Sequence, residues 1–376
     1  MKPGNYLKML KKINQIEPIF FKNDKDSLKK YINSGSWFTE HKINKKFEKK
    51  FARLVGAKFA VTFPNGTLTL LGILLVSNLK KNDTVLVPSL TMVATANVVV
   101  LSGLKLDFVD VSSKNLCVDP AALKKKIKKN KSIKMLIYVN FNGRTGDLTQ
   151  VKKICKKNKI LLVEDSAHSI GSYFKKKHHG TFGLAGSFSF SMPKIITTGQ
   201  GGIVVTSDKK FYEKLKKLKN FGRDIDGEDN YKSLGFNFKF TDLQASLGLS
   251  QLETLKFRIK RKKFIFNLYQ KELSKLPNIK ILKFSNYETP WFVDIFVDEK
   301  LALINYLKKH HIFCREIYPS LNKLAFFNNK SQCPISEQLS NKGIWLPSSV
   351  NLQKKDILRV TKLIKNFYDK NLFKKK

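Results

Sequence analysis

Acid is what this chain has least of for its size. Of 376 residues, 29 are Asp or Glu and 71 are Lys or Arg, a formal net charge of +42. An excess of that size ordinarily points to nucleic acid or an anionic membrane. The other features of such proteins are missing. The basic residues are mostly Lys and are scattered, with local runs at 124–129, 152–157, 175–177, 209–219 and 374–376. None is interleaved with aromatics as in single-strand binders. No zinc-finger, helix-turn-helix or RNA-recognition pattern occurs. Cysteine is scarce too. Cys117, Cys155, Cys314 and Cys333 form no CxxC pair and no Cys/His cluster with metal spacing, so free thiols in a reducing cytosol and no metal are expected. The opening MKPGNYLKMLKKINQ has no apolar core, and no signal peptide is expected. Residues 84–104 lack Lys, Arg, Asp and Glu for 21 positions, long enough to cross a bilayer. Pro88, Asn97 and several hydroxyl residues interrupt that run, so it reads better as a buried strand followed by a buried helix. Internal repeats and low-complexity linkers are absent.

What is present is a globular composition, 42% hydrophobic and 11% aromatic. The length suffices for a large core and two domains. The chain is organised around residues 161–202, LLVEDSAHSIGSYFKKKHHGTFGLAGSFSFSMPKIITTGQGG. A short apolar run, 161–163, ends in Glu164-Asp165. SFSF (187–190) alternates polar and apolar residues, Lys194 sits between Pro193 and a Gly-rich turn, and IVVT (203–206) begins another strand. An acid at one strand end and a Lys just past the next can face one pocket at the carboxyl edge of an α/β sheet. A Lys amine can form a Schiff base with a carbonyl, including that of pyridoxal phosphate. An Asp can then keep the cofactor's pyridine nitrogen protonated. By spacing alone, a capping Asp and a solvated Lys are the favoured reading, since an Asp and a Lys 29 residues apart are common in so Lys-rich a chain.

The wording of the stretch is more specific. EDSAHSIG, HGTFGLAGSFSFSMPK and TTGQGG resemble the DegT-type nucleotide-sugar aminotransferase family of fold-type-I pyridoxal-phosphate enzymes. The resemblance runs, with gaps, from about residue 34 to the C-terminus. It implies that Asp165 pairs with the pyridine nitrogen, that His168 lies near the phenolic oxygen, that Ser189 contacts the phosphate and that Lys194 is the Schiff-base lysine. PNGTLTLL (64–71) reads as a turn into a helix starting at about Thr67, whose N-terminus and hydroxyl suit either a plain cap or a phosphate. By resemblance Gly66 and Thr67 join the phosphate cup. Met92 stands where the family usually stacks an aromatic on the ring. Trp37, Phe38, Thr39 and Arg144 fall in substrate-proximal loops, with packing and a surface position as the plain alternatives. In GFNFKFTDLQASLGLSQL (235–252), Asn237 matches the residue that reaches a neighbouring subunit's phosphate. Lys239 replaces the usual Arg, and Asn322 stands where a His is frequent after Tyr-Pro.

The implied fold is α/β, a fold-type-I aminotransferase. Its large domain has a mostly parallel central sheet flanked by helices, and a smaller C-terminal α+β domain follows. The expected division is 1–255, the cofactor-binding domain with its N-terminal lead-in, and 256–376. One long helix is expected from 242 to about 273, strands at 291–297 and 313–318, and a last helix at 354–373. The implied activity is transfer of an amino group, with L-glutamate the expected donor, to a nucleotide-linked keto sugar. A 4-keto-6-deoxyhexose destined for surface polysaccharide or glycan is the expected acceptor. The enzyme would be a cytoplasmic homodimer with shared sites, bound to neither nucleic acid nor membrane. Two alternatives stand beside this. One is a dehydratase of the same family, in which His replaces the Schiff-base Lys. The other is a basic nucleic-acid-binding or regulatory protein on the same scaffold.

Overall fold

A computed structural model describes residues 11–39, 42–225 and 227–372. Two helices open it, α1 (Lys22–Asn33) and α2 (Lys42–Val55). Strands and helices then alternate: β1 (Phe59–Phe63), α3 (Gly66–Val76), β2 (Thr84–Pro88), α4 (Val93–Leu101), β3 (Lys105–Val109), α5 (Pro120–Lys129), β4 (Ile133–Val139), α6 (Leu148–Lys157) and β5 (Leu161–Asp165). A small hairpin, β6 (Tyr173–Phe174) and β7 (Lys177–His178), precedes β8 (Ala185–Ser189), β9 (Gly202–Thr206) and α7 (Lys209–Lys219). The chain continues through α8 (Asp242–Glu253), α9 (Leu255–Leu273), β10 (Val293–Phe296), α10 (Lys300–Lys309), β11 (Arg315–Glu316), α11 (Pro334–Lys342), β12 (Gly343–Leu346) and α12 (Lys354–Leu372).

The large sheet has the order β1-β9-β8-β5-β4-β2-β3. β9 is antiparallel to both its neighbours and the remaining pairs are parallel. A parallel sheet carries helices on both faces, so its strands are apolar on both. In β2, Leu86 packs into one core with Phe47, Phe51 and Phe188, while Val85 and Val87 pack into another with Phe63, Phe108 and Val163. The run at 84–104 is thus β2 and the start of a helix–strand unit. Among the described residues no helix is long and apolar enough to cross a membrane.

A second, three-stranded antiparallel sheet, β10-β12-β11, is packed by α9, α10 and α12 around Ile295, Leu303, Ile344 and Ile364. The N-terminal lead-in belongs to this core as well. Ile13 is buried in it, donates to His311 O at 3.0 Å and accepts from Phe313 N at 2.9 Å.

The long helix expected from 242 is two helices. Thr254 breaks it, with φ −93° and ψ 1°. The halves serve different partners, α8 lying on α1 and α2, α9 on α12 and β10. The expected strand at 313–318 is reduced to the two residues of β11, and the one at 291–297 to β10. All four cysteines are free thiols.

Candidate active site

The ends of β1, β2, β5 and β8 come together at the carboxyl edge of the large sheet, where open α/β sheets bind ligands. A cavity of about 210 Å³ opens there. Glu164 and Asp165 show how a strand sorts two adjacent acids. Successive side chains point to opposite faces, so Glu164 turns away from the cavity and accepts backbone N–H groups of Gly180 (2.8 Å), Phe182 (2.6 Å) and Gly183 (3.1 Å). Asp165 lines the cavity, 6% exposed. Its Oδ2 accepts from Thr95 Oγ1 at 2.8 Å and its Oδ1 from Ala167 N at 3.2 Å. Burial pushes its carboxyl up from the usual range, and those two bonds and the Lys194 charge pull it back down.

Lys194 lies in the β8–β9 connection and lines the same cavity. Its Nζ sits 4.0 Å from the centre of the Trp291 ring. Enclosure lowers its pKa from 10.5 to about 7; Asp165 opposes that shift and Arg315 adds to it. The other face of this corner is aromatic. The His168 ring stacks on Trp291 at 3.9 Å and 18°, and Trp291 Nε1 donates to Pro193 O at 2.8 Å. Burial, then the Lys194 charge, push the His168 imidazole well below its usual pKa. Its Nδ1 accepts the Asn142 N–H at 3.4 Å, so the ring is neutral with that nitrogen as acceptor.

At the opposite end of the cavity is the start of α3. Asn65, not Thr67, caps it, its Oδ1 accepting Leu68 N at 2.9 Å. That leaves Thr67 in the first turn, lining the cavity beside Gly66 and Ser189. A Cβ on Gly66 would meet Ser189 Cβ at 2.8 Å, so glycine is what lets the helix start approach β8. Met92, 41% exposed, ends the β2 loop on the cavity wall.

Of the residues singled out from the sequence, Gly66, Thr67, Met92, Asp165, His168, Ser189 and Lys194 line this one cavity. The others do not line it in the single chain. Trp37, Phe38 and Thr39 are exposed, and the Phe38 carbonyl accepts Asp242 N at 2.9 Å. Asn237 is exposed and bridges Asn220. The expectation of a substrate-facing Arg144 is corrected. Its guanidinium is 1% exposed and gives two hydrogen bonds to Asp294, at 2.6 and 2.8 Å, and one to Leu282 O at 3.0 Å. A guanidinium buried on Asp294 is not presented to the cavity. Asn322 is buried, tied to Ser331 O and Glu337, and does not line the cavity. The sequence reading missed Thr95, Trp291, Arg315 and Tyr318, which do. Trp291 and Tyr318 were counted as strand residues, and only the shortening of β10 and β11 turns them into the site.

The donor set fits pyridoxal phosphate: a buried carboxylate, an enclosed amine of lowered pKa, and a glycine-bearing helix start flanked by two hydroxyls. The DegT/DnrJ/EryC1/StrS aminotransferase family model matches residues 20–365. The chain belongs to this family. GDP-perosamine synthase of Escherichia coli O157:H7 is 32% identical over 90% of this chain and 95% of its own length. UDP-4-amino-4,6-dideoxy-N-acetyl-beta-L-altrosamine transaminase of Helicobacter pylori is also 32% identical, over 89% and 83%. Among solved structures, Helicobacter pylori PseC, an aminotransferase involved in the biosynthesis of pseudoaminic acid, superposes with a TM-score of 0.90. It is 27% identical over 96% of this chain and 100% of its own. This family member is a pyridoxal-phosphate-dependent sugar aminotransferase of the fold-type-I class.

Proposed function

We propose that this enzyme moves an amino group from L-glutamate to a nucleotide-linked 4-keto-6-deoxyhexose. The product would feed surface polysaccharide or glycan synthesis in the cytoplasm. The observation that carries the reading is the pairing of Lys194 and Asp165 in one cavity with the open start of α3. The substrate class is supported by relatives whose names specify GDP- and UDP-linked amino sugars. Lys194 is the amine that would hold pyridoxal phosphate through its aldehyde, and the bound cofactor would supply an electron sink. Asp165 presents a carboxylate to its ring nitrogen. The Thr67 and Ser189 hydroxyls and the first N–H groups of α3 would bind its phosphate, and His168, neutral and pinned by Asn142, would stand by its phenolic oxygen. With a pKa of about 7, Lys194 Nζ is poised at neutral pH to take the donor's α-proton and return it. Trp291 shields that amine from water. A site built on Lys194 is not that of the dehydratase alternative.

We further propose a homodimer in which Asn237 completes the partner's phosphate cup. The support is exposed apolar surface around it, Leu234 at 92% and Phe236 at 45%, with Trp37 at 77% on the lead-in. Such exposure is unusual on a monomer. The two-unit division near residue 255, with the lead-in docked on the second unit, is part of the same proposal.

The test is the absorbance spectrum of protein loaded with pyridoxal phosphate, before and after L-glutamate. Wild type should show the visible band of bound cofactor and lose it with glutamate, and Lys194→Ala should show neither the native band nor its loss. A wild type that binds cofactor but ignores every amino acid would overturn the reading. Sedimentation should give twice the mass of one chain, and a monomer that retains full activity would exclude shared sites.

A further inference from the structure

The β8–β9 connection that carries Lys194 is gripped from outside the cavity. Trp291 takes the carbonyl of Pro193, on one side of the lysine. Two further side chains hold the other side. Arg258 of α9 donates through Nη1 to Ile195 O at 3.4 Å, and Gln251 of α8 accepts Thr197 N through Oε1 at 3.2 Å. Both are buried, and neither lines the cavity. One carboxylate sets the pair, and it comes from the far end of the chain. Asp24 of α1, wholly buried, accepts from Gln251 Nε2 at 2.7 Å and lies 3.7 Å from Arg258 Nη2. Its remaining lone pairs are taken by Ser250 Oγ at 2.6 Å and Phe21 N at 2.8 Å. A carboxylate only accepts and a backbone N–H only donates, so an amide lying between the two has a single orientation. Gln251 therefore turns its NH2 to Asp24 and its oxygen to Thr197. The rest of the Arg258 fork is fixed by Ile19 O at 3.0 Å and Thr254 Oγ1 at 2.9 Å.

We propose that Asp24, Gln251 and Arg258 are positioning residues for Lys194, holding its loop so that the amine stays enclosed against Trp291. This deepens the amino-transfer reading above and rests on it for the use made of that amine. Enclosure is the largest influence on the Lys194 proton, and the charges that act on it are those of Asp165 and Arg315. A loop released from Gln251 lets water reach Nζ, and the amine then titrates closer to its ordinary value. Electrostatics alone would do the opposite when Asp24 is neutralised, because losing a carboxylate disfavours an ammonium. The sign of the change therefore separates positioning from charge.

The experiment labels the full-length, cofactor-free protein with a trace of acetic anhydride over a series of pH values, and reads acetylation at Lys194 by mass spectrometry. Only the unprotonated amine reacts, so the midpoint of the labelling curve reports the Lys194 proton. Wild type should show a midpoint at about 7. Gln251→Met changes no charge and keeps the side-chain length, and should raise the midpoint by about one pH unit. Asp24→Asn should raise it as well, against the electrostatic trend. Both variants should also melt lower, which a purely structural role predicts equally. Lower melting with the midpoint left at its wild-type value, or a midpoint that falls, overturns the proposal. Should Asp24→Asn fail to fold, Gln251→Met decides. The label needs no cofactor, so the result stands whether or not wild type forms a Schiff base, and the spectrum with L-glutamate tests the amino-transfer reading separately.

Discussion

At the scale of single residues, the site depends on groups that act through others. Thr95 touches the candidate cofactor partner, Asp165, at 2.8 Å and holds its carboxyl down against the effect of burial. Thr95→Val removes that bond while keeping the shape. The carboxyl then rises further, and protonation reaches it at higher pH. The acid limb of the pH profile for cofactor binding, followed by the visible band, should therefore move to higher pH with the alkaline limb unchanged. An unmoved acid limb would mean that Asp165 is not the group titrating there. Trp291 is the residue least legible in the sequence. Nothing in PWFVDIF distinguishes it from a strand aromatic, yet its ring carries Lys194 on one contact and His168 on another.

At the scale of elements, the start of α3 is where backbone geometry and chemistry coincide. Ser189 sits so close that Gly66→Ala would drive Cβ against Cβ. Neither atom is the end of a flexible chain, so one element must shift by a few tenths of an ångström. The expected result is weaker cofactor affinity, on the order of 10-fold if about 1.4 kcal/mol of phosphate binding is lost. Protein lacking cofactor should melt only slightly lower. Fluorescence titration with pyridoxal phosphate and a thermal scan of the cofactor-free protein separate the two effects. Turn and helix were both visible in PNGTLTLL, because Pro, Asn and Gly punctuate an apolar run. The identity of the cap was not, since Asn65 and Thr67 are both good caps and only the φ/ψ of Asn65, −164° and 171°, chooses between them.

At the scale of the molecule, one buried cation joins a loop of the large sheet to the smaller sheet, and another ties α9 to the smaller sheet. Arg144, in the β4–α6 connection, is clamped on Asp294 of β10. Removing one partner of a buried pair leaves the other uncompensated, at a cost of about 3–5 kcal/mol. Arg144→Met should therefore lower the melting temperature clearly while sparing the affinity for substrate, a split that would fail if Arg144 bound substrate. Lys262, 3% exposed, donates to Trp291 O at 2.7 Å and Ser348 O at 2.6 Å, and burial lowers its pKa from 10.5 to about 7. The unfolded chain keeps that proton up to pH 10.5, so between pH 7 and 10.5 the unfolded state binds more protons and stability rises with pH. Descending, the gain is lost until about pH 7 and the dependence is flat below. Lys194 contributes with the same sign in the cofactor-free protein. Melting of that protein at pH 7 and pH 9 should show the rise, and Lys262→Met should flatten it.

By itself the sequence determined the large sheet and its helices, because apolar runs bounded by Gly, Pro and Asn leave parallel strands few other ways to be buried. It also determined which residues stand at the strand ends, Asp165 and Ser189 among them, since position along a strand is a local property. The tertiary structure alone decided which of those residues meet and which are used up elsewhere. Arg144 was lost to Asp294, 150 residues away, while Thr95, Trp291 and Arg315 were brought to Lys194 from three other elements. Such partnerships depend on where two sheets come to rest against one another, and no period of the local pattern encodes that.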